Sequence, residues 1–162
     1  MVAEKQEIPP PALLLGLGGL IPFIASALFI WMPSPIAELA PQLPFQSSDP
    51  VALATMALGA YGAVILSFLG GVRWGNLLFD HASLRNWMPL SLSVLPSLIA
   101  WPALLFPPTP MIILLCVGFI LQYVLDVKAA KRGLLPSWFL RLRMILTSGA
   151  VLSLLAGLIA TL

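Results

Sequence analysis

From Val51 to Val72 no side chain carries a charge, and four further stretches are nearly as apolar: Pro11–Trp31, Pro89–Phe106, Pro110–Val127 and Leu142–Leu162. Each approaches the length that crosses about 30 Å of hydrocarbon at about 1.5 Å per helical residue. Lipid offers the backbone no hydrogen-bond partner, so only helices and closed barrels span it. Continuous apolar runs lack the polar–apolar alternation of barrel strands. The sequence therefore predicts an all-α integral membrane protein. It forms a five-transmembrane-helix bundle over residues 1–162 as a single domain, with helices at about 11–31, 51–72, 89–106, 110–127 and 142–162. Composition agrees: 9% of the residues are charged, against about 25% in a soluble domain.

The first run is too long for a cleaved signal core, follows "PPP", and ends in Trp31-Met32-Pro33 rather than a small-residue cleavage site. It is read as a retained span. Five spans place the N-terminus, the loop after helix two and the loop after helix four on one side. That side holds Lys5, Arg73, Arg85, Lys128, Lys131, Arg132, Arg141 and Arg143, all 8 basic residues of the chain. Positive charge stays inside, so the N-terminus is expected in the cytoplasm and the C-terminus in the periplasm. The formal charge of +2 is then topology rather than a nucleic-acid footprint.

The outer loop Met32–Pro50, with Glu38 and Asp49 and many prolines, has the composition of a short interfacial cap. Pro107–Pro110 is a tight turn joining helices three and four into a hairpin. Pro96 and Pro102 remove backbone donors and should kink helix three, with Ser93 and Ser97 placed to satisfy a freed carbonyl. Because lipid is as apolar as leucine, helices associate through small residues and polar contacts. Helix two carries Thr55, Gly59, Ala63, Ser67 and Gly71, and helix five Gly149, Ser153, Gly157 and Thr161. These two stripes are expected to be packing faces, set against each other.

Gly118, Gln122 and Asp126 recur at i, i+4 and i+8, on one helix face. Asp126 lies about 24 Å below the outer turn at the helical rise, a depth similar to that of Arg73. An ionisable group at the membrane border is costly unless paired or solvated. Asp126 is therefore expected to face the bundle and meet Arg73, Lys128, Arg141 or Arg143. Arg73, Trp74, Gln122, Asp126, Arg141 and Arg143 form the candidate polar cluster at the cytoplasmic face. A plainer reading stands beside it: arginine snorkels and tryptophan forms interfacial belts, and Arg73–Trp74, Trp87 and Trp138 fit that role. The segment Lys128–Arg143 alternates basic and bulky apolar residues, as on an anionic membrane surface, and could hold an anionic headgroup.

Catalysis finds little support. His81 is the single histidine, adjacent to Asp80 in a loop. Cys116 is the single cysteine and lies in an apolar run. These supply no metal set of three or four ligands. "GLGGL" at Gly16–Leu20 lies within helix one, without the strand a phosphate loop requires. No catalytic residue, metal or cofactor is assigned.

Two stretches, "YGAVILSFLGGVRWG" at Tyr61–Gly75 and "LQYVLDVKAAKRGLLPSWFLRLRMILT" at Leu121–Thr147, resemble the transmembrane protein 69 family. This is domain of unknown function 3429, shared by bacterial membrane proteins and a mitochondrial protein. The resemblance covers nearly the whole chain. It implies the bacterial inner membrane and its energy-converting organelle counterpart as location, and carries no activity, substrate or catalytic residue. Three functions follow from the residues. The first is a non-enzymatic assembly, stability or lipid-binding factor, with membrane lipids, a membrane-protein partner or a second copy as its partners. The second is a small transporter or channel using Arg73, Gln122 and Asp126. The third is an enzyme acting on a lipid or quinone.

Overall fold

A computed structural model describes residues 7–39, 49–79 and 85–162; Lys5, Asp80 and His81 lie outside them. All regular structure among the described residues is helical. The elements are α1 (Pro10–Gly18), α2 (Ile21–Trp31), the short α3 (Ser34–Leu39), α4 (Pro50–Leu77), α5 (Trp87–Ala103), α6 (Pro108–Lys131) and α7 (Ser137–Thr161). The segments 10–31, 50–77, 108–131 and 137–161 are long and apolar enough to span a membrane, and α5 is a shorter apolar helix of 17 residues.

Where the boundaries differ from expectation, the cause is local. The first span is two helices rather than one. Pro22 has no N–H to give the Gly18 carbonyl, and the chain turns at Gly19–Leu20, where the Tyr61 hydroxyl donates to the Gly19 carbonyl at 3.0 Å. The second span does not end at Val72 but runs on to Leu77, because a charged residue does not break a helix that can carry it to the border. It begins under an Asp49 cap that accepts from the Val51 and Ala52 amides at 2.9 and 3.2 Å. The third helix runs over Trp87–Ala103 rather than 89–106, capped by Asn86. Ser93 donates to the Leu90 carbonyl at 2.6 Å, not to the Leu92 carbonyl that Pro96 frees.

The fourth and fifth spans consume most of the expected surface segment. Lys128 and Lys131 end α6, while Arg141 and Arg143 lie on α7, leaving a connection of Arg132–Pro136. Gly133, at φ 75°, closes α6. Its amide reaches the Ala130 carbonyl at 2.9 Å and the Leu134 amide reaches the Ala129 carbonyl at 3.1 Å, the paired bonds of a glycine-ended helix.

Helices α4 and α6 run together from Gly59 beside Met111 to the ends that hold Leu77 and Ala129. Phe23 of α2 fills the centre, edge-on to Tyr61 and Phe119 at centroid distances of 5.0 and 5.8 Å. Leu58, Leu66, Ile112, Leu115 and Leu154 complete the core. The outward faces are as apolar as the core: Leu15, Phe68, Trp101 and Leu152 are 63–79% exposed. Water would not tolerate such a belt, and lipid requires it.

The small residues pack, but not as one stripe against the other. Gly59 faces Met111 of α6, and Gly157 faces Leu58 of α4 and Ile30 of α2. Gly149 lies against Leu20, and the Ser153 hydroxyl returns to the Gly149 carbonyl at 2.9 Å. Ala63 is buried and Ser67 half-buried. Gly71 is exposed with nothing near it; its neighbour Gly70 takes the contact, close under the Ser93 carbonyl of α5. A repeat of four residues drifts about 40° per step on a helix of 3.6 residues per turn. By Gly71 the drift is about 120°, off the buried face.

Candidate functional site

The polar residues collect where α4 and α6 end and α7 begins. Arg143, two turns into α7, donates from Nε to Asp126 Oδ2 at 2.9 Å. Gln122, one turn back along α6, donates from Nε2 to Asp126 Oδ1 at 3.2 Å. Arg73 Nη1 stands 3.9 Å from the same Oδ1, close enough for attraction but beyond a hydrogen bond. Gln122, Asp126 and Arg143 are buried, at 2%, 6% and 4% exposure, whereas the Arg73 side chain keeps 19%.

The expected cluster thus divides. Arg73, Gln122, Asp126 and Arg143 come together, with Arg143 the direct partner of the carboxylate. Arg141 is exposed, since two residues on a helix turn the side chain by about 200°. Trp74 is 42% exposed and does not line the site. Trp87, 86% exposed, suits an interfacial anchor.

Beside the cluster lies a pocket of about 200 Å³. Arg73, Asn76, Gln122 and Asp126 form its polar side. Leu69, Val72, Leu77, Leu134, Leu135 and Phe139 form its apolar walls. Leu134 is brought there by the Gly133 turn, which is the structural use of that glycine. Two guanidinium groups, of Arg73 and Arg143, share one carboxylate. The site therefore carries excess positive charge in a medium that disfavours it. Among the described residues no three of His, Cys, Asp and Glu gather as a metal set; charge and hydrogen bonding decide what the pocket can hold.

Sequence reasoning missed Asn76 and Thr147. Thr147 was within reach of it, because it lies four residues after Arg143 and so on the same face of α7. Asn76 was hidden by ending the second span at Val72.

A bundle of apolar helices with lipid-suited outer faces and a buried ion-pair cluster at one end defines a multi-span integral membrane protein. The chain belongs to the family described as Protein of unknown function (DUF3429), which matches residues 8–159. It is 40% identical over 163 aligned residues to Transmembrane protein 69 of Xenopus tropicalis, covering 98% of this chain and 57% of that protein. It is 34% identical over 156 residues to Transmembrane protein 69 of Mus musculus, covering 94% of this chain and 57% of that protein. The chain thus spans little more than half the length of these relatives. No solved structure matches it.

Proposed function

We propose that this protein binds an anionic lipid headgroup in the pocket beside Arg73. The observation that carries this reading is the charge of the site: Arg73 and Arg143 against Asp126 alone, with Arg73 held at 3.9 Å and still part-exposed. A phosphate at Arg73 would balance the excess, and Leu134, Leu135 and Phe139 would receive the first carbons of the lipid. The volume of about 200 Å³ suits a headgroup and the chain stems, not a whole lipid. Of the assembly and lipid-binding readings, lipid binding is the one this pocket supports. Beyond Gln122 the buried face of α6 continues as Gly118, Leu115, Ile112 and Met111, an apolar row that favours a one-ended pocket over a transport path. Asp126 is engaged by Gln122 and Arg143, which favours holding a ligand over transferring a proton.

We place the chain as a single domain in the bacterial inner membrane, with the pocket at the cytoplasmic face. The test is lipid analysis of protein purified in mild detergent. Wild-type protein should retain anionic phospholipid above its share of the membrane. Arg73→Gln should retain about fivefold less, the ~1 kcal/mol of one basic side chain at an anionic surface. Equal retention of anionic lipid by both proteins would sink the reading.

A further inference from the structure

Deeper in the bundle lies a second cavity of about 170 Å³, between the α1–α2 break, α4, α6 and α7. Its walls are hydrocarbon, Phe23, Ile65, Phe119, Leu146 and Ala150 among them, and two polar side chains interrupt them: Arg143 and Thr147. Arg143 is spent on Asp126 only through Nε. Its Nη2 is buried without a hydrogen-bond partner, and so is Thr147 Oγ1. Both residues are more than nine-tenths buried, at 4% and 8% exposure.

Thr147 makes this deficit specific. A hydroxyl in a membrane helix commonly donates to the carbonyl one turn back, as Thr55 does to Val51 at 2.8 Å and Ser153 to Gly149 at 2.9 Å. Thr147 does not. Thr147 and Arg143 both line the cavity, from positions i+4 and i of one helix. A guanidinium can only donate, and a hydroxyl can donate, so the missing partner is an acceptor. The cavity rim includes Leu15 and Phe68, 79% and 63% exposed on the lipid-facing side. An occupant therefore enters from the bilayer and is itself apolar.

We infer that this cavity is a second binding site, for a membrane-dissolved molecule that presents one carbonyl-type oxygen to Arg143 Nη2 and Thr147 Oγ1. Two kinds of molecule carry that chemistry in a membrane: a quinone and an acyl ester. The site is independent of the headgroup pocket. The two are neighbours, since Leu69 borders both, but Asp126 lines one and Arg143 the other.

The test uses the full-length protein, stripped of lipid and reconstituted, with three tritiated probes that share a ten-carbon chain: decylubiquinone, methyl decanoate and decane. At least one oxygen-bearing probe should bind, at least tenfold more tightly than decane; which one binds identifies the source. Thr147→Val keeps the side-chain shape and should weaken that probe about fivefold, one hydrogen bond's worth, while leaving decane unchanged. Ala150→Phe fills the cavity and should abolish binding. If that variant does not fold, Thr147→Val decides alone. The inference is overturned if neither oxygen-bearing probe binds, if decane binds as well as they do, or if Thr147→Val binds like wild type.

Discussion

Asp126 presents one carboxylate to two cations inside the bundle, so changing it is not the same as deleting the pair. Asp126→Asn leaves the Arg143 guanidinium buried at 4% exposure with no countercharge, a loss of about 3 kcal/mol by the cost of breaking buried ion pairs. Asp126→Asn with Arg143→Met removes both charges and should recover most of that loss. Both outcomes are read from the unfolding midpoint in mixed detergent micelles. A single variant as stable as wild type would mean that the pair does not hold the helices. That Asp126 faces inward was legible in the sequence, since Gln122 and Asp126 share a face and isolated carboxylates are costly in lipid. Which arginine meets it was not. Four basic residues lie within reach of the helix ends, and only the phase and depth of α7 turn Arg143 in and Arg141 out. Thr147, one turn beyond, takes its place in the second cavity from that same phase.

Helix phase decides the packing of the elements as well. A Cβ on Gly70 would sit 2.5 Å from the Ser93 carbonyl of α5, whereas one on Gly71 would meet nothing within 4 Å. Gly70→Ala should therefore push α4 and α5 apart and cost about 1–3 kcal/mol, the usual range for overpacking. Gly71→Ala should be neutral or slightly stabilising, because alanine is the better helix former. Comparing the unfolding midpoints of the two variants checks the assignment, and equal loss from both would refute it. The apolar runs were enough to place every long helix, because the need to satisfy the backbone in lipid leaves few choices. The ends are less legible: a charged residue reads as a span limit, while α4 and α6 carry Arg73 and Lys128 inside the helix. The break at Gly19–Leu20 follows locally from Pro22, while the Tyr61 hydroxyl that caps it reaches across from another helix, a contact that no local pattern encodes.

For the molecule as a whole, the question is whether α5 crosses completely. Its 17 residues reach about 25 Å at the helical rise, short of the ~30 Å core. The 28 residues of α4 reach about 42 Å and must tilt or protrude. A short helix could be re-entrant, which would put both termini on one face. The arrangement of its neighbours argues otherwise. The ends of α4 and α6 meet at the headgroup pocket, through Leu77 and Ala129, and their earlier turns meet at Gly59 and Met111. The two helices are parallel, so the chain between them returns across the bundle. At the far end, Trp31 donates to the Ala156 carbonyl at 3.0 Å, which sets the close of α2 beside the close of α7. We propose five crossings on this ground, with the start of α1 at the pocket end and the close of α7 at the other. The basic residues Arg73, Lys128, Lys131, Arg132, Arg141 and Arg143 lie around the pocket end, and by the positive-inside rule we propose that this end is the cytoplasmic one. In a bacterial host, alkaline phosphatase fused after Leu162 should be active and a fluorescent protein fused there dark, with the reverse result at the N-terminus. A fluorescent C-terminal fusion would mean an even number of crossings or an inverted bundle. It would also move Arg73 and its pocket away from the anionic leaflet on which the headgroup reading depends.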